Sequence, residues 1–280
     1  MNQALSDGAV VVGVRSKQPE LLAYARTFAQ LLGARLRVVH AYAPPYSHAD
    51  LYVTEAEADS YIAAAHGVVA DAQSYFDETG LGSDVELELV DSYPPAALVA
   101  ESRHAKAVVI GTDDVSWFER ITGSAVSSHV ALHADCPVVV VPPSASAAAM
   151  TEVAVAIDAK TAARGPLKFA FELADRAHVG LRVIHIGDPA TSVSDTEARE
   201  LLVAEVLTGW RQEYPDVAVT PEIWAGDPVE ETVRAAADAG FLVVGKPHAG
   251  RWHLPGRAVA ASLLRVTTFP ITVVPADYGT

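Results

Sequence analysis

The chain has 280 residues, half of them hydrophobic, and 20 Lys plus Arg stand against 35 Asp plus Glu for a net charge of −15. That length predicts about two domains with sizeable cores, and the acidic balance argues against a general electrostatic grip on DNA, RNA or an anionic membrane surface. One cysteine, Cys136, excludes an internal disulfide and a thiolate metal cluster.

At the amino terminus, MNQALSDGA carries neither a basic segment nor a long apolar run, so no signal peptide is expected. No apolar stretch reaches the roughly 20 residues that span a bilayer, and the composition suits a cytoplasmic protein. The first half predicts strands near Val10–Val14, Leu36–Ala41, Val85–Val90, Ala107–Ile110 and Val138–Val141. Its helices are expected near Pro19–Leu32, Thr54–Thr79, Pro94–His104 and Ala125–His133. The proline-rich YAPPYSHADLY (42–52) reads as a crossover at a pocket mouth, and Cys136, in DCPVVVVP, reads as a core residue.

The small-residue segment PPSASAAAM (142–150) reads as a seam. It places domain one at 1–143, a linker at 144–150 and domain two at 151–280. Beyond it, strands are predicted near Glu152–Ile157, Leu181–Ile186, Val217–Ile223, Leu242–Val244 and Ile271–Val274. Helices are expected near Ala162–His178, Asp195–Tyr214, Val229–Ala239 and Ala258–Val266.

The two halves resemble each other. RVVH (37–40) matches RVIH (182–185), AVVIG (107–111) matches LVVG (242–245), and CPVVVVP (136–142) matches FPITVVP (269–275), in the same order. A duplicated unit accounts for this. Strand-helix alternation with continuous apolar strands predicts an α/β class: two doubly wound parallel sheets of five strands, covered on both faces. Ligands in such sheets sit beyond the carboxyl ends of the strands, where strand order reverses.

The segment from Gly111 to Pro142 and its counterpart in the second half resemble the universal stress protein family in its tandem form, whose fold is of the adenine nucleotide alpha hydrolase-like kind. Members show Gly, two residues, Gly, nine residues, Gly-Ser/Thr and Val-Ser before a helix and a valine-rich last strand. The resemblance implies a stress-response module. In members that bind ATP, an Asp after the first strand accepts from the adenine amine. The glycines admit backbone N–H groups to the phosphates, and a helix N-terminus completes the anion site.

In the first half, Gly111, Val126 and Ser127 match that pattern. Asp114 stands at the second glycine, Ser124 at the third, and Ala125 at the hydroxyl position; a one-residue shift would restore Gly123-Ser124. Arg15 replaces the adenine-accepting Asp. A carboxylate in the loop repels a triphosphate. Arg15 and Asp114 are read as solvated loop charges, as a pair filling the pocket, or as the mark of a changed ligand.

In the second half, Asp158 and Gly245 match, and His248 takes the second glycine position. Arg257 and Ala258 replace Gly-Ser/Thr, with Gly256 one place earlier, and Val259 matches. The loop holds Lys246, His248, Arg251, His253 and Arg257, a basic cluster in an acidic chain. It reads as a solvated turn or as an anion site built from side chains instead of amides. Ile186, at the end of the second strand of this half, joins the nucleotide-contacting set that the resemblance implies.

His248 and His253 lack companions at metal-ligand spacing, so no metal is expected. Ser127, Ser128 and His129 are chain neighbours that do not face one another on a helix, so no nucleophile–base pair and no catalytic residue is expected. No Walker lysine motif or nucleophile elbow is present. The functional expectation is a non-catalytic module with degenerate ATP-binding loops, taking ATP or another adenine nucleotide in half two. The rivals are a nucleotide-hydrolysing α/β enzyme and an interaction protein that has lost nucleotide in both halves. As partners, the resemblance implies a homo-oligomer (often a homodimer) or an intramolecular pseudo-dimer, and the acidic composition predicts no nucleic acid and no membrane.

Overall fold

The computed structural model describes residues 8–43, 54–81, 84–112, 126–147, 150–159, 164–187, 193–246 and 255–279. The chain divides into two compact units, Met1–Val138 and Val139–Thr280. The first runs β1 (Val10–Gly13), α1 (Pro19–Leu31), β2 (Leu36–Tyr42), α2 (Glu55–Thr79), β3 (Val85–Asp91), α3 (Pro94–Glu101), β4 (Ala107–Gly111) and α4 (Val126–His133). Its strands lie in the order β3-β2-β1-β4 and are parallel. β5 (Val138–Val141) follows α4, and its approach is fixed by Val108 N–H, which donates to the Pro137 carbonyl at 2.9 Å.

The second unit runs β6 (Glu152–Ile157), α5 (Arg164–Ala177), β7 (Gly180–Gly187), α6 (Val193–Glu213), β8 (Val219–Ala225), α7 (Pro228–Ala236), β9 (Leu242–Gly245), α8 (Pro255–Val266) and β10 (Ile271–Val274). Strand order is β10-β9-β6-β7-β8, again parallel. The α/β class with parallel sheets and strand-helix alternation is as the sequence predicts. The valine-rich strands β1, β4 and β5 are buried almost throughout. β3 and β8, last in their strand orders, are only half-covered and read with polar alternation.

Element ends differ from the sequence reading where capping decides. Thr54 is the cap of α2 instead of its first residue. Its hydroxyl accepts from Glu57 N–H at 3.3 Å, while its own N–H donates to the Glu57 carboxylate at 2.9 Å. α7 starts at Pro228 because Asp227 accepts from the N–H groups of Val229 and Glu230, both at 3.0 Å. α8 likewise begins earlier than expected, at Pro255. Val217 is buried but sits in a turn, its N–H donating to Tyr214, so β8 opens two residues later.

Each unit carries a shielded arginine on its second strand. Arg37 is 4% exposed and pairs with Glu86 at 2.8 Å, with Glu88, and through Nε with Glu101 at 3.3 Å. Arg182 pairs with Glu152 at 2.5 Å, Asp238 at 2.7 Å and Glu222 at 3.5 Å. Both lie toward the amino ends of their strands, which leaves the carboxyl ends for ligand chemistry.

The tail after β10 straps α5. Gly165 N–H donates to the Ala276 carbonyl at 3.1 Å, Lys168 to Gly279 at 2.7 Å, and the Tyr278 hydroxyl to Glu172 at 2.9 Å. Burial, with the Glu172 carboxylate alongside, pushes the Tyr278 hydroxyl up, so it remains the donor. The Phe169 and Tyr278 rings meet edge to face at 5.5 Å. On α5, Phe169, Phe171 and Leu173 are at most 1% exposed, each contributing roughly 1.5–3 kcal/mol by burial.

Candidate functional site at the carboxyl ends of the strands

In each unit the chain winds outward in one direction and then returns across its first strand. In the first unit the reversal lies between β1 and β4, and in the second between β6 and β9. Such a reversal opens a crevice, because the two following connections leave toward opposite sides.

Asp158 follows directly on β6 and is exposed at this crevice. On the neighbouring strand, Val244 pairs with Ala156, so Gly245 ends β9 beside the end of β6. Lys246 is held where it leaves the sheet, its N–H donating to the Val274 carbonyl at 2.7 Å. A Cβ on Gly245 would meet Pro166 Cγ at 3.3 Å, which leaves little room there for a larger residue. Ile186 lies near the end of β7 and is half-buried.

α8 opens with Pro255, Gly256 and Arg257, so these residues form its first turn, and Val259 is half-buried one turn in. First-turn N–H groups have no intrahelical acceptor and favour anions. His248, Arg251 and His253 lie outside the described residues.

Two groups at this end escaped the sequence reading. His185, 4% exposed on β7, places Nδ1 at 3.2 Å from the Ile157 carbonyl and 3.5 Å from Ala159 N. A single nitrogen either donates to the carbonyl or accepts from the amide, so His185 holds the backbone on one side of Asp158. The shorter contact favours the tautomer in which Nδ1–H donates to the carbonyl. Arg199, on α6, lies against the end of β7: a Cβ on Gly187 would meet its Nη1 at 3.0 Å. Its distance from Gly245 in sequence concealed it, whereas His185 was visible only as the last letter of a repeated tetrapeptide.

The first unit has the same frame with a different head. Arg15 follows β1, exposed, and its N–H donates to Gln18 Oε1 at 3.1 Å. Gly13 pairs with Ile110, so Gly111 lies beside the end of β1. Val126 and Ser127 are the first two residues of α4, both half-buried. Asp114, Gly123, Ser124 and Ala125 lie outside the described residues, and so does the alternative reading in which Arg15 pairs with Asp114.

Among the described residues, no group of three or more His, Cys, Asp or Glu converges as a metal site, and no helix is long and apolar enough to cross a membrane. Cys136 is buried.

The model of the universal stress protein family matches twice, over residues 9–142 and 150–275. A universal stress protein of Mycolicibacterium smegmatis is 29% identical, covering 98% of this chain and 99% of its own length. One from Mycobacterium tuberculosis (strain ATCC 25618 / H37Rv) is 30% identical, covering 74% of this chain and 75% of its own. Among solved structures, a universal stress protein from Archaeoglobus fulgidus DSM 4304 shares the fold with a TM-score of 0.72 at 17% identity, covering 96% of this chain and 97% of that one.

Proposed function

Since this chain belongs to the universal stress protein family and carries the family unit twice, we propose that its second unit binds an adenine nucleotide between β6 and β9. In this reading the protein is a non-catalytic, cytoplasmic stress-response module. One observation carries it: Asp158 and Gly245 flank the reversal of strand order, with His185 anchored to the Ile157 carbonyl just before Asp158. The Asp158 carboxylate accepts from the adenine amine. The first turn of α8, with Arg257 and Lys246, takes the phosphates. His248 and Arg251 complete the basic loop by sequence.

The first unit does not bind ATP in this proposal. Arg15 occupies the place of Asp158, and a guanidinium has no acceptor for an amine; Asp114 adds a negative charge by sequence. In this proposal the two functional repeats are bounded by the sequence seam, at 1–143 and 151–280 with a linker at 144–150, although the compact units divide at Val138.

Calorimetric titration of the full chain with ATP and GTP, with phosphate release followed in the same samples, tests this. Adenine-selective binding at one equivalent without turnover supports it. Turnover would favour the nucleotide-hydrolysing alternative. Absence of binding at low salt would favour an interaction protein that has lost its ligand in both halves.

A further inference from the structure

We propose that His129 and His133 on α4 form a two-imidazole chelate for a divalent transition-metal cation such as Cu2+, Ni2+ or Zn2+. Residues four apart on a helix share one face one turn apart, the spacing with which paired histidines hold a metal on a helix. Here the two rings stack at 4.2 Å between centroids, 20° from parallel. Both residues are exposed, while Val130 and Ala131 between them point inward.

The second observation fixes the ligand atom. His133 Nδ1 lies 2.7 Å from the His129 carbonyl oxygen. A carbonyl only accepts, so Nδ1 carries the hydrogen and Nε2 keeps its lone pair. A ligating histidine commonly has its other ring N–H anchored in this way. His133 also ends α4, where the helix's partial negative charge attracts a cation.

A rotation of the exposed His129 ring turns both Nε2 lone pairs onto one point, about 2.0–2.1 Å from each for zinc. Two protein ligands leave the other positions to water. Among divalent ions, Cu2+ binds tightest and Mn2+ weakest.

The test titrates the full-length protein with CuCl2 and NiCl2, recording electron paramagnetic resonance for Cu2+ and calorimetry for Ni2+. Wild type takes up one equivalent with hyperfine coupling to two nitrogens. His129→Ala, His129→Gln and His133→Ala each weaken binding by more than about tenfold, at least the loss seen when a mere supporting partner is removed. His66→Ala, on the exposed side of α2, binds as wild type, and circular dichroism confirms that each variant is folded. The proposal is overturned if affinity survives the His129 and His133 replacements, if His66→Ala lowers it equally, or if wild type takes up neither ion.

Discussion

His40 and His185 make the same contact in the two units: each is buried on a second strand and points Nδ1 at the last carbonyl before the candidate nucleotide position. The distances are 2.8 Å to Val14 and 3.2 Å to Ile157. What they clamp differs, Arg15 in one unit and Asp158 in the other. Loss of either ring orphans a backbone carbonyl at a cost of about 1–3 kcal/mol. His40→Phe and His185→Phe should both lower urea midpoints, but only His185→Phe should weaken ATP binding. Equal ATP affinity in wild type and His185→Phe would show that the clamp has no bearing on the ligand.

Asp158→Ala should reduce the preference for ATP over GTP by roughly tenfold, the equivalent of one hydrogen bond. Arg257→Ala should weaken both nucleotides alike. Both affinities should fall with added salt, since charge pairing at an open crevice is screened. Competition calorimetry at two ionic strengths reads all three effects.

Arg37→Met should cost about 3–5 kcal/mol, because Glu86, Glu88 and Glu101 would surround an apolar chain. Arg182, 17% exposed against 4% for Arg37, should cost less when replaced in the same way. The hydrogen bond from Arg182 holds the Asp238 carboxyl below its ordinary range. That contribution is present at neutral pH, above the unfolded-state value near 4, and is lost as pH falls through the lower folded value. Arg182→Met should flatten this part of the acid limb in denaturation profiles, and an unchanged limb would refute the assignment.

Gly165→Ala should destabilise by at least the upper end of the roughly 1–3 kcal/mol typical of overpacking. An added Cβ would fall 2.1 Å from the Pro275 carbonyl oxygen and 2.9 Å from that of Ala276, and backbone atoms cannot swing aside. Thermal unfolding compared with Gly209→Ala, where nothing lies within 4 Å, separates this from a general glycine effect.

His129 should titrate below the ordinary histidine range and rise in His133→Ala, though not fully, because loss of hydration is the larger cause. A depressed folded value means this site favours the folded state above the unfolded-state value near 6.5. That advantage shrinks as pH drops through the folded value. Ring-proton NMR of wild type and variant checks it.

The architecture was legible because it is written twice: RVVH and RVIH, AVVIG and LVVG fix equivalent strands, and Asp158 and Gly245 land where a reversal of strand order predicts. The caps were legible only in part. A cap differs from a first turn only in its backbone angles, so the sequence alone reads Thr54 as part of its helix and does not mark the Asp227-Pro228 start. Arg199 and the His129–His133 stack were missed for different reasons. The first reaches the end of β7 from α6, a helix far in the chain from Gly245, and the second shows only when His129 is compared with the residue one turn onward, not with the adjacent Ser127 and Ser128.

The strap over α5 has a bearing on how the molecule is made. Lys168 and Gly279 are 111 residues apart in the chain, so a ribosome working at roughly 5–20 residues per second leaves α5 without its cover for about 5–20 s. During that interval the side of α5 destined for Tyr278 faces solvent or whatever nascent-chain factor attends it. The second unit can close only when its final residues emerge, whereas the first, whose last described pairing joins Val108 to Pro137, is free to settle while synthesis continues.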